Sequence, residues 1–403
     1  MREMGPISGR FLVGVLAAAL LFGARTASAS DFDVTCAGGT DPGHSTSDFN
    51  SLGLAIDAAK TQNANGPHTI WVSGNCAEVI FINGINNLTI QGTPAVPGVL
   101  DDSITGNAAA PPGAPSVVTV QQLTGFSLND IRIVGFPGRS HAISLSRSEG
   151  SLRRCVVESA PLIGINISDN ASIGMQDITA ANNGGAAGIF VSGMSSASLG
   201  GTSEIYGNAG SGISVSSGSL LGGSGNIRVH NNGGLGITIF LSTIFIGGQS
   251  PAAPISIYDN GGPGLSLVSS KGDVRNLSIS HNNLTGSRAP AEPSPLPGFF
   301  QCGLCLHIGS DLFVDTVQIN ESLGPAHGVV LRAKSGVTLR NFTITGSGSD
   351  GVHVEAGSGA LFLTGTNSIS GSGGANANCT DSLSWVGGDT TGVGKPIKCT
   401  VVK

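Results

Sequence analysis

The residues of this chain that could do chemistry are concentrated in one segment near its C-terminal end. Only 11% of the 403 residues are charged. The ionisable candidates of the segment are His307, His327, Arg332, Lys334, Asp350, His353 and Glu355. An imidazole exchanges protons near neutral pH, and a cationic side chain neutralises a carboxylate beside which a proton is abstracted. The candidate catalytic set, which is His307, Arg332, Lys334, His353 and Glu355, therefore fits proton abstraction beside a substrate carboxylate.

Hydrolysis of a glycosidic bond fits the same segment less well. That reaction uses two opposed carboxyl groups a few ångströms apart. Asp350 and Glu355 are the candidates, but they stand five residues apart and Asp350 falls at a turn. A purely structural interpretation is also open, in which Arg332 and Glu355 form an ion pair between coils.

The elements that would position these side chains follow from an internal repeat. Gly164, Gly188, Gly212 and Gly236 stand 24 residues apart, and each opens an apolar-x-apolar run such as Gly-Ile-Phe-Val. A fixed period without apolar stretches of helical spacing is typical of stacked units that gain a core only from their neighbours. Short strands separated by Gly, Ser and Asn turns predict one coil of a parallel β-solenoid per repeat.

Stacking turns sequence positions into columns. Neighbouring strands lie about 4.8 Å apart, so equivalent residues of successive coils face each other. We expect His307, Arg332 and Glu355 to form one outward column on three neighbouring coils. The recurring turn asparagines Asn183, Asn208, Asn232 and Asn260 predict a separate ladder of side-chain amides that hydrogen-bond from coil to coil.

The repeat pattern resembles that of the right-handed parallel β-helix proteins, the pectin lyase-like superfamily. The resemblance covers roughly residues 52–371 and implies an all-β, right-handed parallel β-helix with three parallel sheets. It also implies long polysaccharide ligands lying along one outer sheet. A short amphipathic helix after Ser51 is expected to cap the N-terminal end. The predicted segments are a signal peptide at 1–29, an N-terminal cap at 30–68, the β-helix at 69–371 and a C-terminal cap at 372–403.

The catalytic motifs of that superfamily do not transfer to this chain. The Ala326-His327-Gly328 and Ser349-Asp350-Gly351 triplets look like polygalacturonase elements, but their order is reversed and the paired acids are missing. The epimerase segment Asp-Pro-His-Asp and the spacing of pectate-lyase calcium ligands are also missing. We therefore predict neither a metal nor a cofactor.

The first 29 residues have the features of an export signal. Arg2 and Arg10 flank an apolar run from 11 to 23, and Ala27-Ser28-Ala29 has the small-x-small form of a cleavage site. This run is too short for an ordinary membrane span, and no other apolar stretch reaches the roughly 18 residues that a span needs. We expect cleavage after Ala29 and a secreted or periplasmic protein without a membrane span.

Export places the cysteines in an oxidising compartment. We predict a Cys36–Cys76 disulfide at the N-terminal cap and a Cys379–Cys399 disulfide in the C-terminal tail. Seven cysteines leave one over, and Cys155 on a regular coil is the expected buried free thiol. Two interpretations remain open for Cys302 and Cys305. They form a local disulfide, or Cys305 forms a metal or redox pair with His307.

An insertion interrupts the repeat beside the charged segment. It runs from Leu284 to Gln301, carries four prolines and ends in Phe299-Phe300. Long loops on rigid scaffolds often carry function. The predicted ligand-binding set is Phe299, Phe300, His307, His327, Arg332, Asp350, His353 and Glu355, with sugar rings stacking on the phenylalanines.

Three classes of function remain open. The first is an exported protein that recognises polysaccharide along an outer sheet face. The second is a polysaccharide lyase or related enzyme, and the third is a structural or adhesive solenoid. The net charge of −6 comes without a basic stripe, so nucleic acid is not an expected partner.

Overall fold

The structure is a computed structural model. It describes residues 30–39, 43, 48–93, 100–107, 115–283, 301–321, 326–394 and 396–402. The predicted signal peptide at 1–29 and the predicted ligand-binding residues Phe299 and Phe300 lie outside the described residues.

The described chain folds as an all-β parallel solenoid, as the repeat predicted. All pairings between its named strands are parallel, and they form two hydrogen-bonded sheets of 13 and 23 strands. The strands of the 13-stranded sheet are Ile80–Asn83, Ser116–Gln121, His141–Ser146, Ile163–Ser168, Ala187–Val191, Ser211–Ser216, Ile237–Phe240, Leu265–Val268, Cys302–His307, His327–Leu331, Val352–Val354, Ala377–Cys379 and Ile397–Lys398.

The larger sheet covers the remaining sides of each coil. Its strands are Ser30–Thr35, Asp48–Phe49, His68–Ser73, Asn75–Ala77, Leu88–Gly92, Ser103–Thr105, Phe126–Asn129, Arg132–Val134, Glu149–Arg153, Val156–Glu158, Ser172–Gln176, Thr179–Ala181, Ser196–Tyr206, Leu220–His230, Thr243–Gly247, Ile255–Tyr258, Lys271–Ser280, Asp311–Asn320, Gly336–Thr345, Gly359–Phe362, Ser368–Ser370, Trp385–Gly388 and Thr400–Val402.

The resemblance implied three parallel sheets. The structure has two, because two of the expected sheets are continuous with each other and form the 23-stranded sheet. Ser196–Tyr206 is 11 residues long and pairs with both Ser172–Gln176 and Thr179–Ala181 of the preceding coil. Its chain bends at Gly201, whose φ of +64° favours glycine. A long bent strand therefore replaces two short strands, and hydrogen bonding continues around the bend.

The expected helix forms at Leu52–Gln62. Ser51 is its N-cap, and the Glu78 carboxylate accepts hydrogen bonds from the N–H groups of Leu52 and Gly53 at 2.7 and 3.1 Å. The strand Ser30–Thr35 precedes the helix and already pairs with His68–Ser73. The ladder therefore begins before residue 69, and the capping role of the helix stays a prediction.

The predicted asparagine ladder runs through the interior. Asn183 Nδ2 donates to Asn208 Oδ1 at 2.8 Å, and the same bond joins Asn208 to Asn232 and Asn232 to Asn260. The ladder continues through Asn282, whose side chain donates to Glu321. All of its members are buried.

The ladder explains the repeated glycines. A Cβ at Gly188 would lie 2.6 Å from Asn208 Nδ2, and a Cβ at Gly212 would lie 2.8 Å from Asn232 Nδ2. Real Cβ atoms do not approach other atoms that closely. The 24-residue spacing in the sequence thus marks where the strand passes over an asparagine of the ladder.

Three disulfides form at the predicted cysteines: Cys36–Cys76, Cys302–Cys305 and Cys379–Cys399. Cys155 is the buried free thiol, and burial raises its pKa to about 12. Within the described part of the chain, no helix has the length and apolarity needed to cross a membrane.

Candidate functional site

The 13-stranded sheet brings the predicted site residues together at its C-terminal end. Cys305, Val330 and His353 are paired in register on three successive strands. The neighbouring outward position carries His307, Arg332 and Glu355, one residue after the paired Leu306, Leu331 and Val354 of the same strands. His307, Arg332 and Glu355 therefore stand at equivalent positions of three successive coils.

Arg332 and Glu355 make the contact between coils that the structural interpretation anticipated. The Arg332 Nε lies in contact with Glu355 Oε1, and the side chains are 21% and 26% exposed. Burial lowers the pKa of Arg332. His353 Nε2 lies 3.8 Å from Glu355 Oε2, so the His353 ring lies next to the Arg332–Glu355 ion pair.

Asp350 lies at the centre of the polar contacts. Its Oδ1 accepts the N–H of Ala375 at 2.8 Å, and its Oδ2 accepts Asn378 Nδ2 at 3.0 Å. Its Oδ2 also lies 2.7 Å from His353 Nδ1. Burial alone would raise the pKa of Asp350, but the hydrogen bonds from Asn378, His353 and Ala375 outweigh it and hold the pKa below its usual range. Asp350 is therefore a fixed carboxylate.

His327 packs against the other side of Asp350. Its Nδ1 accepts the backbone N–H of Asp350 at 3.1 Å and lies 3.5 Å from Asp350 Oδ2. Its ring centroid is 4.5 Å from that of His353. Burial, with a smaller contribution from the charge of His353, lowers the pKa of His327 to about 4. His327 is thus a neutral imidazole at neutral pH.

His307 occupies its predicted column but is not accessible. It is 1% exposed, and burial together with the charge of Arg332 lowers its pKa to about 4. Cys302, Cys305 and Val330 form a small buried apolar cluster separate from the core of the coils. This part of the outer face is therefore not the open surface that strand alternation predicted.

The remaining predicted residues have plainer positions. Lys334 is exposed in the turn that follows its strand, with a φ of +62°. The Cys302–Cys305 disulfide occupies both thiols, so Cys305 and His307 do not form the alternative thiolate metal pair. Asn378 was missed because the β-helix was expected to end at residue 371, although it pairs with His353 in the same column.

The middle coils present a second feature on the same outer face. Ser144, Asn166, Phe190, Ser214 and Thr238 are paired in register on five successive strands. The side chains of all but Ser144 are half-buried. This neutral column therefore offers hydroxyl and amide groups and one aromatic ring along the sheet. The next members of the same column, Ser266, Cys305 and Val330, are buried.

A family model describes part of this fold. Residues 226–384 match the model of the right-handed β-helix region. This part of the chain is a right-handed β-helix. The matched β-helix includes Arg332, Asp350, His353 and Glu355, so the polar cluster belongs to the repeat itself. No curated protein sequence matches the chain.

Solved structures show a general likeness of fold. An A-module of a mannuronan C-5 epimerase from Azotobacter vinelandii matches with 15% identity and a TM-score of 0.46, covering 84% of this chain and 88% of the other. A pectate lyase matches with 14% identity and a TM-score of 0.43, covering 88% and 81%. An alpha-1,3-glucanase catalytic domain solved with tetrasaccharides matches with 11% identity and a TM-score of 0.47, covering 85% and 67%. Likeness at this level concerns the fold of the β-helix and no residue of the site.

Proposed function

We propose that this protein is exported and recognises a polysaccharide along the outer face of its 13-stranded sheet. The observation that carries the proposal is the neutral column from Ser144 to Thr238, which runs across five successive strands. A chain of sugar rings presents hydroxyl groups at regular intervals. A row of hydroxyl and amide side chains at a regular spacing of about 4.8 Å is complementary to such a ligand.

Aromatic rings support the proposal. Phe190 lies between Asn166 and Ser214 in the neutral column. Phe240 lies two strands further along the sheet, two residues after Thr238 of the same column, and is 48% exposed. Large exposed apolar side chains on a face that is otherwise polar are typical of ligand contacts, because the apolar face of a sugar ring can stack on them.

The test is binding of the purified mature protein to a panel of neutral and acidic polysaccharides, measured by affinity electrophoresis. Phe190→Ala is expected to weaken binding by about tenfold, which corresponds to ~1.4 kcal/mol of lost stacking. Phe245→Ala is the matched control, because Phe245 is 53% exposed but lies on the 23-stranded sheet. Equal binding by all three proteins, or no binding at all, would favour the structural or adhesive solenoid.

Cleavage is a second candidate function, favoured by the contacts of one histidine. His353 Nδ1 is hydrogen-bonded to Asp350, so the Nε2 of the same ring faces the Arg332–Glu355 pair. An imidazole oriented by a carboxylate and placed near a cation is suited to proton abstraction beside a sugar carboxylate. Ultraviolet absorbance from unsaturated products, abolished by His353→Gln, would assign a lyase. Binding without such products would leave a recognition protein.

Export has its own test. Three disulfides are consistent with an oxidising compartment. Protein recovered outside the cytoplasm of an expressing bacterium is expected to begin at Ser30. An intact N-terminal Met1 in the recovered protein would contradict cleavage after Ala29.

A further inference from the structure

The cluster at the C-terminal end contains a set of potential metal-binding atoms that polysaccharide recognition along the neutral column does not use. His327, Asp350 and His353 each offer one nitrogen or carboxylate oxygen, and these atoms lie within 4.8 Å of one another. His327 and His353 come from neighbouring strands of the 13-stranded sheet, and Asp350 comes from the turn between them in sequence. We propose that His327, Asp350 and His353 bind one transition-metal ion of the Zn²⁺ or Co²⁺ type.

The distances fit such an ion. Bonds of about 2.1 Å to a tetrahedral Zn²⁺ place its ligand atoms roughly 3.4 Å apart. Asp350 Oδ2 lies 3.5 Å from His327 Nδ1 and 2.7 Å from His353 Nδ1. The second distance is a hydrogen bond, so the ion replaces the proton shared by Asp350 and His353. Binding of the ion increases the distance between Asp350 Oδ2 and His353 Nδ1 by less than about 1 Å. The imidazole proton moves to Nε2 or to solvent.

The protonation of His327 also suits a ligand. Its Nδ1 accepts a hydrogen bond from the backbone N–H of Asp350 and therefore carries no proton. The lone pair lies on the side of the ring that faces Asp350. A small rotation of the ring exchanges the backbone donor for the metal ion.

Neighbouring groups hold the carboxylate in place. Asn378 Nδ2 and the N–H of Ala375 donate to the two oxygens of Asp350. Outer contacts of this kind orient the ligands of metal sites. The positive charge of Arg332 is offset by Glu355, which also lies 3.8 Å from His353 Nε2. The three side chains are 10–19% exposed, so solvent or a substrate atom can reach the fourth position of the ion.

The donor set selects the class of metal. Two imidazole nitrogens and one carboxylate suit Zn²⁺, Co²⁺ or Ni²⁺, whereas Ca²⁺ and Mg²⁺ prefer all-oxygen sites. The other group of potential ligands in the described residues is Cys36, Cys76 and Glu78, but its two cysteines are joined in a disulfide. One ion per chain is therefore expected.

The test is titration of the untagged mature protein with Zn²⁺ by calorimetry and with Co²⁺ by visible absorption. We expect one ion per chain and the d–d absorption of a tetrahedral Co²⁺ site, with no competition from equimolar Ca²⁺. His327→Gln and His353→Gln are expected to abolish binding, and Asn378→Ala is expected to weaken it by about 10–100-fold through loss of orientation. His281→Gln is the matched control, because His281 lies 3.9 Å from Asp259 in an exposed pair elsewhere on the solenoid.

Each outcome decides the proposal without reference to polysaccharide binding. Absence of Zn²⁺ binding by the wild-type protein, or unchanged binding in both glutamine variants, overturns it. Should the variants fail to fold by circular dichroism, X-ray absorption of the Zn²⁺-loaded wild-type protein replaces them. Two imidazole ligands in that spectrum support the site, and fewer than two overturn it.

Discussion

The middle coils and the C-terminal coils of the same sheet share a backbone and differ in what they carry. Between residues 163 and 240 the outer columns hold mainly Ser, Asn and Thr, and the interior ladder is made of asparagines. Between residues 301 and 355 one outer column holds Cys305, Val330 and His353, and the other holds His307, Arg332 and Glu355. The interior ladder there ends on Glu321. Packing thus fixes the inward positions of every coil, while the outward positions and the last member of the ladder are free to change.

Removing an asparagine from the middle of the ladder should have the largest effect on stability. Asn232→Ala leaves the amide donors of Asn208 without their acceptor and opens a cavity at a position that is 2% exposed. We expect a loss of about 3–5 kcal/mol in the free energy of unfolding, measured by urea denaturation. Ser214→Ala, on the outer column of the same coil, is the control and should change stability by less than about 0.5 kcal/mol. Similar losses for both would show that the ladder is not what holds the coils.

The end of the ladder should respond to pH where the middle does not. Burial, opposed in part by hydrogen bonds from Asn282 and Asn283, raises the pKa of Glu321 from 4.5 to about 7. The folded state therefore favours the protonated acid. The associated stability is fully present below about pH 4.5 and is lost as the pH rises through 7.

The expected size of that loss is ~3 kcal/mol, since each unit of pKa shift corresponds to about 1.4 kcal/mol. Denaturation curves of the wild type and of Glu321→Gln between pH 4 and 8 measure it. Glutamine keeps an acceptor for Asn282 but does not titrate. The difference between the two proteins should grow with pH, and a constant difference would contradict the buried acid.

The charged outer column offers a smaller effect. A double-mutant cycle of Arg332→Met and Glu355→Gln should give a coupling energy of about 1 kcal/mol, because both side chains are partly shielded from solvent. Thermal denaturation at low ionic strength measures the four proteins. A coupling energy near zero would mean that this ion pair contributes as little as a surface pair.

An exposed pair on the middle coils sets the lower limit. Arg228 and Glu204 lie 3.3 Å apart with side chains 46% and 36% exposed. Their coupling energy in the same kind of cycle should be at most about 0.5 kcal/mol and should disappear in high salt. A coupling energy larger than that of Arg332 and Glu355 would contradict the expectation that the ion pair of the C-terminal coils is the stronger of the two.

The regular part of the fold could be predicted because one physical cause repeats in the sequence. Each strand that begins at one of the glycines from Gly164 to Gly236 packs against a buried asparagine amide, which leaves no room for a Cβ. The glycine spacing and the asparagine spacing therefore have the same cause. A second interior ladder escaped prediction. Buried serines such as Ser195, Ser219 and Ser242 accept backbone N–H groups from the preceding coil, but serine is too common in this chain to stand out.

The sequence predicted which strand positions carry the candidate site residues, but not how deeply some of them are buried. Alternation along a strand predicts His307 and Arg332 on the outer side of the sheet, and the pairing of Leu306 with Leu331 puts them at equivalent positions of neighbouring coils. Alternation contains no information on what covers an outer position, so the burial of His307 and Cys305 was not foreseen. Glu321 was missed because it follows Asn282 by 39 residues, after the repeat has lost its period.

The direction of the asparagine ladder has a consequence for how such a protein can be lengthened. Every amide donates towards the C-terminal end, and the last group, the Glu321 side chain, accepts from Asn282 through both oxygens. A duplicated coil placed anywhere between Asn183 and Asn260 would receive a donor from one neighbour and offer one to the next. The same coil placed after Glu321 would meet a terminator instead of a donor. A coil inserted between Asn183 and Asn260 would therefore extend the amide ladder, whereas one inserted beyond Glu321 would stack as the later coils do, by strand pairing without that ladder.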